Sequence, residues 1–303
     1  MEEKKKGGYI TITKKDLLWV AGFVIVAILA FAGILIARHV NYRKAVQLFE
    51  DGQYDKAYEA FLKLNDYRDC PEKLIEVKHA MLINAKPGDR IYFGNYYTGD
   101  KKDDKKEYDI AWVVLEVNDG KALLISEQNI DYFRWQVDNY NYELKSWEDS
   151  ALRSYLNYNF LNGAFSEEEK AKILDTVVVP DKDTHEDRFA DALDLHDRVK
   201  ENETVDKVFV LSVSEAMKYF STDESRKSDP TIYTTRTNKY MEPTLFHTAK
   251  LVYDETHSWW LRTRIDTRAN EHYVCYVEES GRIVRGDCYN NHAIRPVIRV
   301  SME

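Results

Sequence analysis

The hydrophobic and polar positions divide the chain into three stretches, of which the first is continuously apolar. From Leu17 to Ala37 there are 21 residues without a charged side chain, enough for a helix to cross a hydrocarbon core. We predict a transmembrane helix at 17–37, preceded by a short basic tail at 1–16. A cleaved signal peptide is the alternative, because Ala30-Phe31-Ala32 has the small-x-small form that precedes a cleavage site. The triplet lies inside the apolar run, which favours an uncleaved anchor.

In the second stretch, 41–85, apolar residues recur every three or four positions, which predicts helices. Gly52 separates two such runs and predicts a helix end, while Pro71 predicts the start of a third helix that ends near Ile83. The spacing Gly52-x-Tyr54-x-x-Ala57-x-x-x-Phe61 resembles one tetratricopeptide-like unit. One such unit buries little apolar surface alone, so we interpret 41–85 as a helical stalk.

The third stretch, 86–303, contains short runs rich in β-branched and aromatic residues, which predict strands. Asn118-Asp119-Gly120 predicts a tight hairpin turn between two of them. Three Ser-x-x-Asp/Glu patterns, which start at Ser146, Ser166 and Ser212, predict capped helix starts. The order of strands, helices and strands predicts an α+β domain with a few short capped helices. The predicted strands are 90–97, 110–117, 121–127, 207–212, 231–235, 258–264, 272–279, 281–286 and 293–300.

The formal net charge of −9 is unevenly distributed along the chain. Five lysines precede the apolar stretch and give residues 1–40 a positive excess, so the remainder is strongly acidic. An acidic body argues against nucleic acid as a partner, because nucleic-acid-binding domains carry a basic surface. The lysines favour a cytoplasmic amino terminus, which would place residues 38–303 outside the cytoplasm at the cell membrane.

Six motifs in 86–303 occur in an order that resembles a bacterial family, domain of unknown function 6273. They are GDRIYFGNYY, IAWVVLEV with KALLIS, SWEDSALRSYLNYNFLNGAFSEEEKAKI, DKVFVLSVSEAMKYF, WWLRTR and AIRPVIRV. In the third motif the matching residues are Trp147, Ser150, Leu152, Arg153, Leu156 and Asn157. The resemblance implies a C-type-lectin-like mixed domain with antiparallel sheets, in the fold group that includes formylglycine-generating enzymes. It also implies that the WWLRTR strand lies near the terminal strand, where Ala293 stands in place of the usual glycine.

Two sets of aromatic and basic residues are candidates for a binding site. Tyr132, Trp135, Tyr140 and Tyr142 belong to a tyrosine-rich loop of the kind that binding surfaces use. Strict alternation along the strand SWWLRTR would place Trp260, Arg262 and Arg264 on one face. The alternative for the loop is that it folds back over the sheet. The alternative for the strand is a packed core position, in which Arg262 and Arg295 bind carboxylates or backbone carbonyls.

Cys275 and Cys288 flank a predicted hairpin near the carboxyl end. They could lie opposite each other and form a structural disulfide, or they could be two unlinked buried thiols. The acidic, histidine-containing stretch 181–197 matches no known metal-site spacing, and the sequence lacks phosphate-loop, dinucleotide and nucleophile-elbow motifs. We therefore expect no metal, no cofactor and no catalytic residue.

Together these features predict a single-pass membrane protein whose extracytoplasmic domain is a binding module for an envelope protein or glycan. The first alternative is an enzyme that is related to formylglycine-generating enzymes or acts on cell-envelope material. The second alternative is a structural partner of another membrane protein.

Overall fold

The computed structural model describes residues 13–97, 107–137, 146–181, 188–189, 201–231, 257–266 and 272–303. The chain forms two compact units, Met1–His79 and Ala80–Glu303. The first unit is helical. The second is a mixed α+β domain built mainly on antiparallel sheets, as the sequence predicts.

The helical unit contains α1 (Lys14–Glu50), α2 (Tyr54–Leu64) and most of α3 (Cys70–Ile83). The predicted third helix is therefore confirmed. The predicted membrane helix at 17–37 and the first helix of the stalk predicted from residue 41 are parts of one continuous helix, α1, of 37 residues. No proline interrupts α1, and its two glycines at 22 and 33 cost only about 1 kcal/mol each. The apolar part of α1 is long enough to cross a membrane, and none of it is buried inside the structure.

The apolar face of α2 packs on the carboxyl-terminal half of α1. Ala57, Tyr58, Phe61 and Leu64 of α2 are buried together with Ala45 of α1. Gly52 adopts φ +72° between the two helices, a conformation that glycine reaches without strain. The predicted helical hairpin of the stalk is thus present.

Most strands of the second unit lie near the beginning or the end of its sequence. They are β1 (Arg90–Tyr97), β2 (Glu107–Asn118), β3 (Lys121–Ser126), β4 (Asp131–Arg134), β5 (Thr176–Val178), β6 (Thr204–Asp206), β7 (Val208–Phe209), β8 (Trp259–Asp266), β9 (His272–Val277), β10 (Ile283–Asp287), β11 (Asn291–Ile294) and β12 (Val297–Ser301). Within the described residues they form one five-stranded sheet in the order β1-β2-β3-β12-β7 and another in the order β10-β9-β8-β11-β4. A two-stranded sheet pairs β5 with β6.

Two short features of the sequence fix this topology. Asp119 and Gly120 both have positive φ, 49° and 69°, which is the hairpin geometry predicted for the β2–β3 turn. Pro296 separates the terminal motif into β11 and β12, which belong to different sheets. Between them the buried Arg295 donates from Nε to the Ser126 carbonyl oxygen at 2.8 Å, so its predicted role as a carbonyl-binding arginine is confirmed. Burial lowers the pKa of Arg295 to about 10.

Short helices connect the two sets of strands. They are α4 (Ala151–Ser154), a π-helical turn (Tyr155–Phe160), α5 (Leu161–Ala164), α6 (Glu167–Lys172), α7 (Val213–Tyr219) and α8 (Asp223–Arg226). The capping boxes at Ser166 and Ser212 are confirmed. At Ser146 the predicted hydrogen bond forms, from the Asp149 amide to Ser146 Oγ at 3.3 Å, but over a turn. The helix start predicted there is wrong, because α4 begins after Ser150, which accepts from the amide of Arg153.

Two residues of the motif that begins SWEDS, Trp147 and Arg153, bind the buried carboxylate of Asp206. Trp147 Nε1 donates to this carboxylate at 2.9 Å, and Arg153 Nε donates to it at 2.6 Å. The hydroxyl of Thr204 also donates to it at 2.6 Å. Two segments that lie more than 50 positions apart in the sequence are therefore joined through one charged acceptor.

The π-helical turn places Asn157 against the neighbouring strand β7. Asn157 Oδ1 accepts from the amide of Val208 at 3.1 Å, and its Nδ2 donates to the Val208 carbonyl oxygen at 2.8 Å. The Asn157 side chain thereby satisfies the backbone N–H and C=O groups of Val208, as an adjacent strand would. The motif residues have a structural role in the fold.

Candidate functional site

The strand β8 carries the predicted site face, but all eight of its residues are buried. The pairing of β8 with β9 shifts register between Trp260 and Arg264. Such an irregularity breaks the two-residue alternation, so residues on either side of it no longer share one face by spacing alone. Trp260, Arg262 and Arg264, the predicted site face, are each at most 6% exposed in this structure.

The two arginines of β8 are neutralised by carboxylates of the same domain. Arg262 contacts both oxygens of Glu215 and donates to the Val210 carbonyl oxygen at 2.8 Å. Arg264 Nη2 lies 2.7 Å from Asp266 Oδ2. Buried guanidinium groups need such partners, because desolvation of an unpaired charge is costly. The alternative prediction, in which Arg262 binds carboxylates and carbonyls, is confirmed.

The aromatic residues of the predicted loop meet β8 inside the core. Tyr132 and Trp135 are 4% and 0% exposed, and the rings of Trp135 and Trp260 have their centroids 6.2 Å apart. Trp260 Nε1 donates to the Phe133 carbonyl oxygen at 2.8 Å. In this structure the loop and the strand therefore meet through core packing. Tyr140 and Tyr142 lie outside the described residues.

The cysteines near the carboxyl end are buried thiols that no disulfide joins. Cys275 of β9 stands opposite Arg285 of β10, so the register does not place it opposite Cys288. Burial raises the pKa of Cys288 to about 12. A thiol with such a pKa stays protonated at neutral pH and is a poor nucleophile. The proposed pairing is not formed in this structure.

Two further buried clusters contain side chains of the types that act as nucleophiles, acids or bases in enzymes. Ser258 Oγ and His292 Nδ1 are 2.6 Å apart, and burial lowers the pKa of His292 to about 3. The Asp131 carboxylate accepts from the hydroxyl of Tyr96 at 2.6 Å, and burial raises the pKa of Asp131. Ser258, His292 and Asp131 are each at most 6% exposed, so these groups serve the core rather than an open site.

A polar cleft of about 440 Å³ lies where three separate segments meet. Residues 227–229 follow α8, His257 precedes β8, and residues 279–280 belong to the turn between β9 and β10. The lining side chains are Lys227, Ser228, Asp229, His257, Glu279 and Ser280. None of these residues was among the predicted site residues.

The buried Arg226 holds two walls of this cleft together. Its Nε donates to the Gly281 carbonyl oxygen at 2.9 Å, and its Nη1 donates to the Phe220 carbonyl oxygen at 2.7 Å. Its own carbonyl oxygen accepts from Trp259 Nε1 at 3.1 Å. The Arg226 guanidinium therefore ties the end of α8 to the β9–β10 turn, and its backbone carbonyl ties it to the core.

A close approach of two backbones completes the wall at the β9–β10 turn. Gly281 has φ +85°, and a Cβ at this position would overlap the backbone of Asp223. Only glycine allows this approach without displacement of one of the two segments. The two walls at α8 and at the β9–β10 turn are therefore held against each other in the structure, which reduces the entropic cost of binding there.

The cleft presents both signs of charge. Lys227 Nζ lies 2.6 Å from Glu224 Oε2, and this hydrogen bond raises the pKa of Lys227. His257 Nδ1 lies 3.7 Å from Asp229 Oδ1. In the part of the chain that the structure describes, the carboxylate of the exposed Glu279 makes no hydrogen bond or ion pair. It is available to a ligand with hydroxyl or ammonium groups.

Metal binding finds no support in this region. Among the described residues no group of three or more His, Cys, Asp and Glu side chains is arranged to hold a metal ion. A calcium ion takes six to eight oxygen ligands. The carboxylates of Asp229 and Glu279 line the cleft, but they do not reach that number.

Comparison with known proteins places the domain in a family. The family model described as domain of unknown function (DUF6273) matches residues 119–302. The chain belongs to the DUF6273 family. The DUF6273 match includes all the cleft residues, Arg226, Gly281 and the Asp206 cluster, and it begins in the turn between β2 and β3. No curated protein and no solved structure matches the chain.

Proposed function

We propose that this DUF6273 protein is a single-pass membrane-anchored binding module that recognises an envelope protein or glycan outside the cytoplasm. The preformed polar cleft at 227–229, 257 and 279–280 is the observation that carries the proposal. Binding sites are commonly concave and largely preformed, with a few converging polar groups. The hydrogen bond from Arg226 to the β9–β10 turn holds two walls of this cleft together without a ligand.

The form of α1 supports an uncleaved anchor. The Ala30-Phe31-Ala32 triplet lies in the middle of a continuous helix that extends to Glu50. A cut at this triplet would leave Gly33–Glu50 as a shortened helix that still begins with apolar residues. Among the described residues, no part of the protein buries the exposed apolar side chains from Leu17 to Ile36, and a bilayer would supply an apolar solvent for them.

The strand arrangement supports a C-type-lectin-like fold for the second unit. Trp259, in the WWLRTR strand, pairs with Ala293 in the terminal motif through a parallel bridge. The family resemblance implies that these two motifs lie near each other. The helical hairpin formed by α1 and α2 likewise supports a tetratricopeptide-like stalk.

The chemistry of the buried groups favours binding over catalysis. A formylglycine-generating type of reaction requires a reactive thiol, whereas the pKa of Cys288 is raised to about 12. The imidazole of His292 is 2% exposed. The cleft is lined by hydroxyl, carboxylate, lysine and imidazole side chains, which suit recognition of a polar ligand.

The proposed topology predicts where the carboxyl terminus lies. An alkaline phosphatase fused after Glu303 should be active in intact bacteria, and a fluorescent protein that folds only in the cytoplasm should stay dark at the same position. The physical reason is the lysine excess before Leu17, which retains the amino terminus inside. The opposite reporter pattern would contradict the extracytoplasmic placement.

Removal of the Glu279 carboxylate should weaken ligand binding. We expect the full-length chain in detergent micelles to be retained on an array of envelope glycans and envelope extracts, with or without calcium. Glu279→Gln should weaken retention about tenfold, because a hydrogen bond to a charged group contributes about 1.5–3 kcal/mol. Glu168→Gln is the matched control, since Glu168 is also exposed but lies on α6 away from the cleft. Absence of retention on every ligand, or equal effects of both variants, would contradict the proposal.

A further inference from the structure

A cluster of arginines and tyrosines lies immediately after the apolar part of α1. The apolar run ends at Ala37, and Arg38 and Tyr42 follow on the same helix. The loop between α2 and α3 lies beside them, because Arg38 Nη2 donates to the Leu64 carbonyl oxygen at 3.0 Å. Tyr67 and Arg68 belong to this loop. We call Arg38, Tyr42, Tyr67 and Arg68 the juxtamembrane cluster.

Arg68 is held in place by two aromatic rings. Its guanidinium carbon lies 5.2 Å from the centroid of the Tyr42 ring and 5.4 Å from that of the Tyr67 ring. The guanidinium carbon of Arg38, in the same cluster, lies 4.8 Å from the centroid of the Tyr67 ring. Arginine is attracted to ring faces at such distances, and the contact immobilises the side chain without using its N–H groups.

The Arg68 guanidinium keeps its hydrogen-bonding capacity. The side chain is exposed and makes no hydrogen bond or ion pair with the described residues. Its backbone has φ +55°, a conformation that costs a non-glycine residue roughly 1–2 kcal/mol. The loop thus holds an arginine in an unfavourable conformation, with all its donors available.

The position of the cluster along α1 matches the depth of lipid headgroups. At 1.5 Å per residue, Arg38 to Tyr42 lie about 2–8 Å beyond Ala37 along the helix axis. The headgroup layer on each side of a bilayer is about 5–8 Å thick. A guanidinium at this depth faces phosphates rather than water or hydrocarbon.

The local charge suits an anionic partner. The cluster and its neighbours contribute Arg38, Arg43, Lys44 and Arg68 against Asp66 and Asp69. Asp69 accepts a hydrogen bond from the Tyr42 hydroxyl at 2.6 Å, and Asp66 lies 3.5 Å from Arg38. Asp66 is paired with Arg38, whereas the Asp69 carboxylate keeps its negative charge, because its partner hydroxyl is neutral. The four basic side chains still outnumber the two carboxylates, and Arg68 and the two basic residues that follow Tyr42 are exposed.

We infer that the juxtamembrane cluster is a binding site for the phosphodiester of an anionic phospholipid, with Arg68 as its main ligand group. The planar guanidinium binds phosphate through two parallel N–H donors, and the tyrosine rings orient it. The inference rests on the proposed membrane anchoring. It adds a lipid as a ligand and assigns the role to named residues.

The test uses the full-length chain in phosphatidylcholine vesicles with and without an equal part of phosphatidylglycerol. Amide hydrogen exchange of residues 65–70 should be about fivefold slower with the anionic lipid, the factor that one basic side chain contributes near an anionic surface. Arg68→Asn should abolish this difference. Asparagine tolerates positive φ, so the variant keeps the loop conformation.

Lys56→Gln is the control for charge alone, because Lys56 is an exposed lysine near the other end of α2, about 12 Å from Leu64 along the helix. It should leave the fivefold effect unchanged. Exchange rates that do not depend on lipid, or a full effect in Arg68→Asn, would overturn the inference. Equal slowing by inorganic phosphate in phosphatidylcholine vesicles would also overturn it, since the site would then not be specific for lipid.

A separate measurement distinguishes this failure from failure of the anchoring. Vesicles that are washed with alkaline carbonate retain integral membrane proteins and lose peripheral ones. A chain that is washed away contradicts the proposed function itself. A chain that is retained but shows no lipid-dependent exchange contradicts the lipid site alone.

Discussion

Replacement of Gly281 by alanine should destabilise the second unit by about 3 kcal/mol or more. The new Cβ would overlap the Asp223 backbone, and the residue would also hold φ +85° with a side chain. Overpacking costs about 1–3 kcal/mol and left-handed backbone about 1–2 kcal/mol. Because the turn is also the wall that Arg226 binds, the variant should lose ligand retention at the cleft. Urea unfolding of the full-length chain in detergent, followed by tryptophan fluorescence, measures the loss.

Gly163→Ala is the matched control for this variant. Gly163 is in the short helix α5, and a Cβ there meets nothing within 4 Å. Alanine has the higher helix propensity, so this variant should be neutral or more stable by up to about 1 kcal/mol. Equal unfolding midpoints for Gly281→Ala and the unmodified chain would show that the turn does not approach Asp223 as described.

Replacement of Asp206 by alanine should cost about 3–5 kcal/mol. It leaves the Trp147 indole, the Arg153 guanidinium and the Thr204 hydroxyl without the acceptor they share. Arg153, whose side chain is 26% exposed, loses its carboxylate partner and is only partly hydrated in exchange. Each remaining buried donor adds its own penalty. The urea midpoint should fall by an amount that corresponds to much of the stability of an ordinary domain.

Two further variants separate the Asp206 effect from the general loss of a carboxylate. Asp206→Asn keeps one carbonyl acceptor, so its cost should lie between that of alanine and zero. Glu116→Ala removes a carboxylate that is 33% exposed and that contacts Lys218 and Arg299. Such a surface pair contributes at most about 1 kcal/mol. If Glu116→Ala and Asp206→Ala shift the midpoint equally, the Asp206 cluster does not act as a buried acceptor.

Local patterns predict those parts of the fold that local chemistry determines. The strand at 90–97 and the hairpin at Asn118-Asp119-Gly120 follow from alternation and turn residues, and both are present. The capped helices at Ser166 and Ser212 follow from reciprocal capping. At Ser146 the same pattern misleads, because Ser150 offers a competing cap one turn later.

The position of the site depends on long-range packing, which spacing does not encode. Strict alternation on β8 fails because a register shift and burial on both faces remove the distinction between inside and outside. The cleft joins residues from three segments up to 53 positions apart, and each residue is an ordinary polar one. The Thr222-x-x-Ser225 cap before Arg226 lacks the acidic residue that marks the other caps, so the sequence gives no local signal for the cleft wall.

The unbroken helix α1 has a mechanical consequence. Its 37 residues correspond to a rod about 55 Å long, whereas the hydrocarbon core is about 30 Å thick. In the proposed anchoring, a thinner bilayer would tilt the rod as a whole, since no hinge separates its membrane part from the part that carries α2. The stalk would then act as a lever that converts bilayer thickness into an angle at the membrane surface.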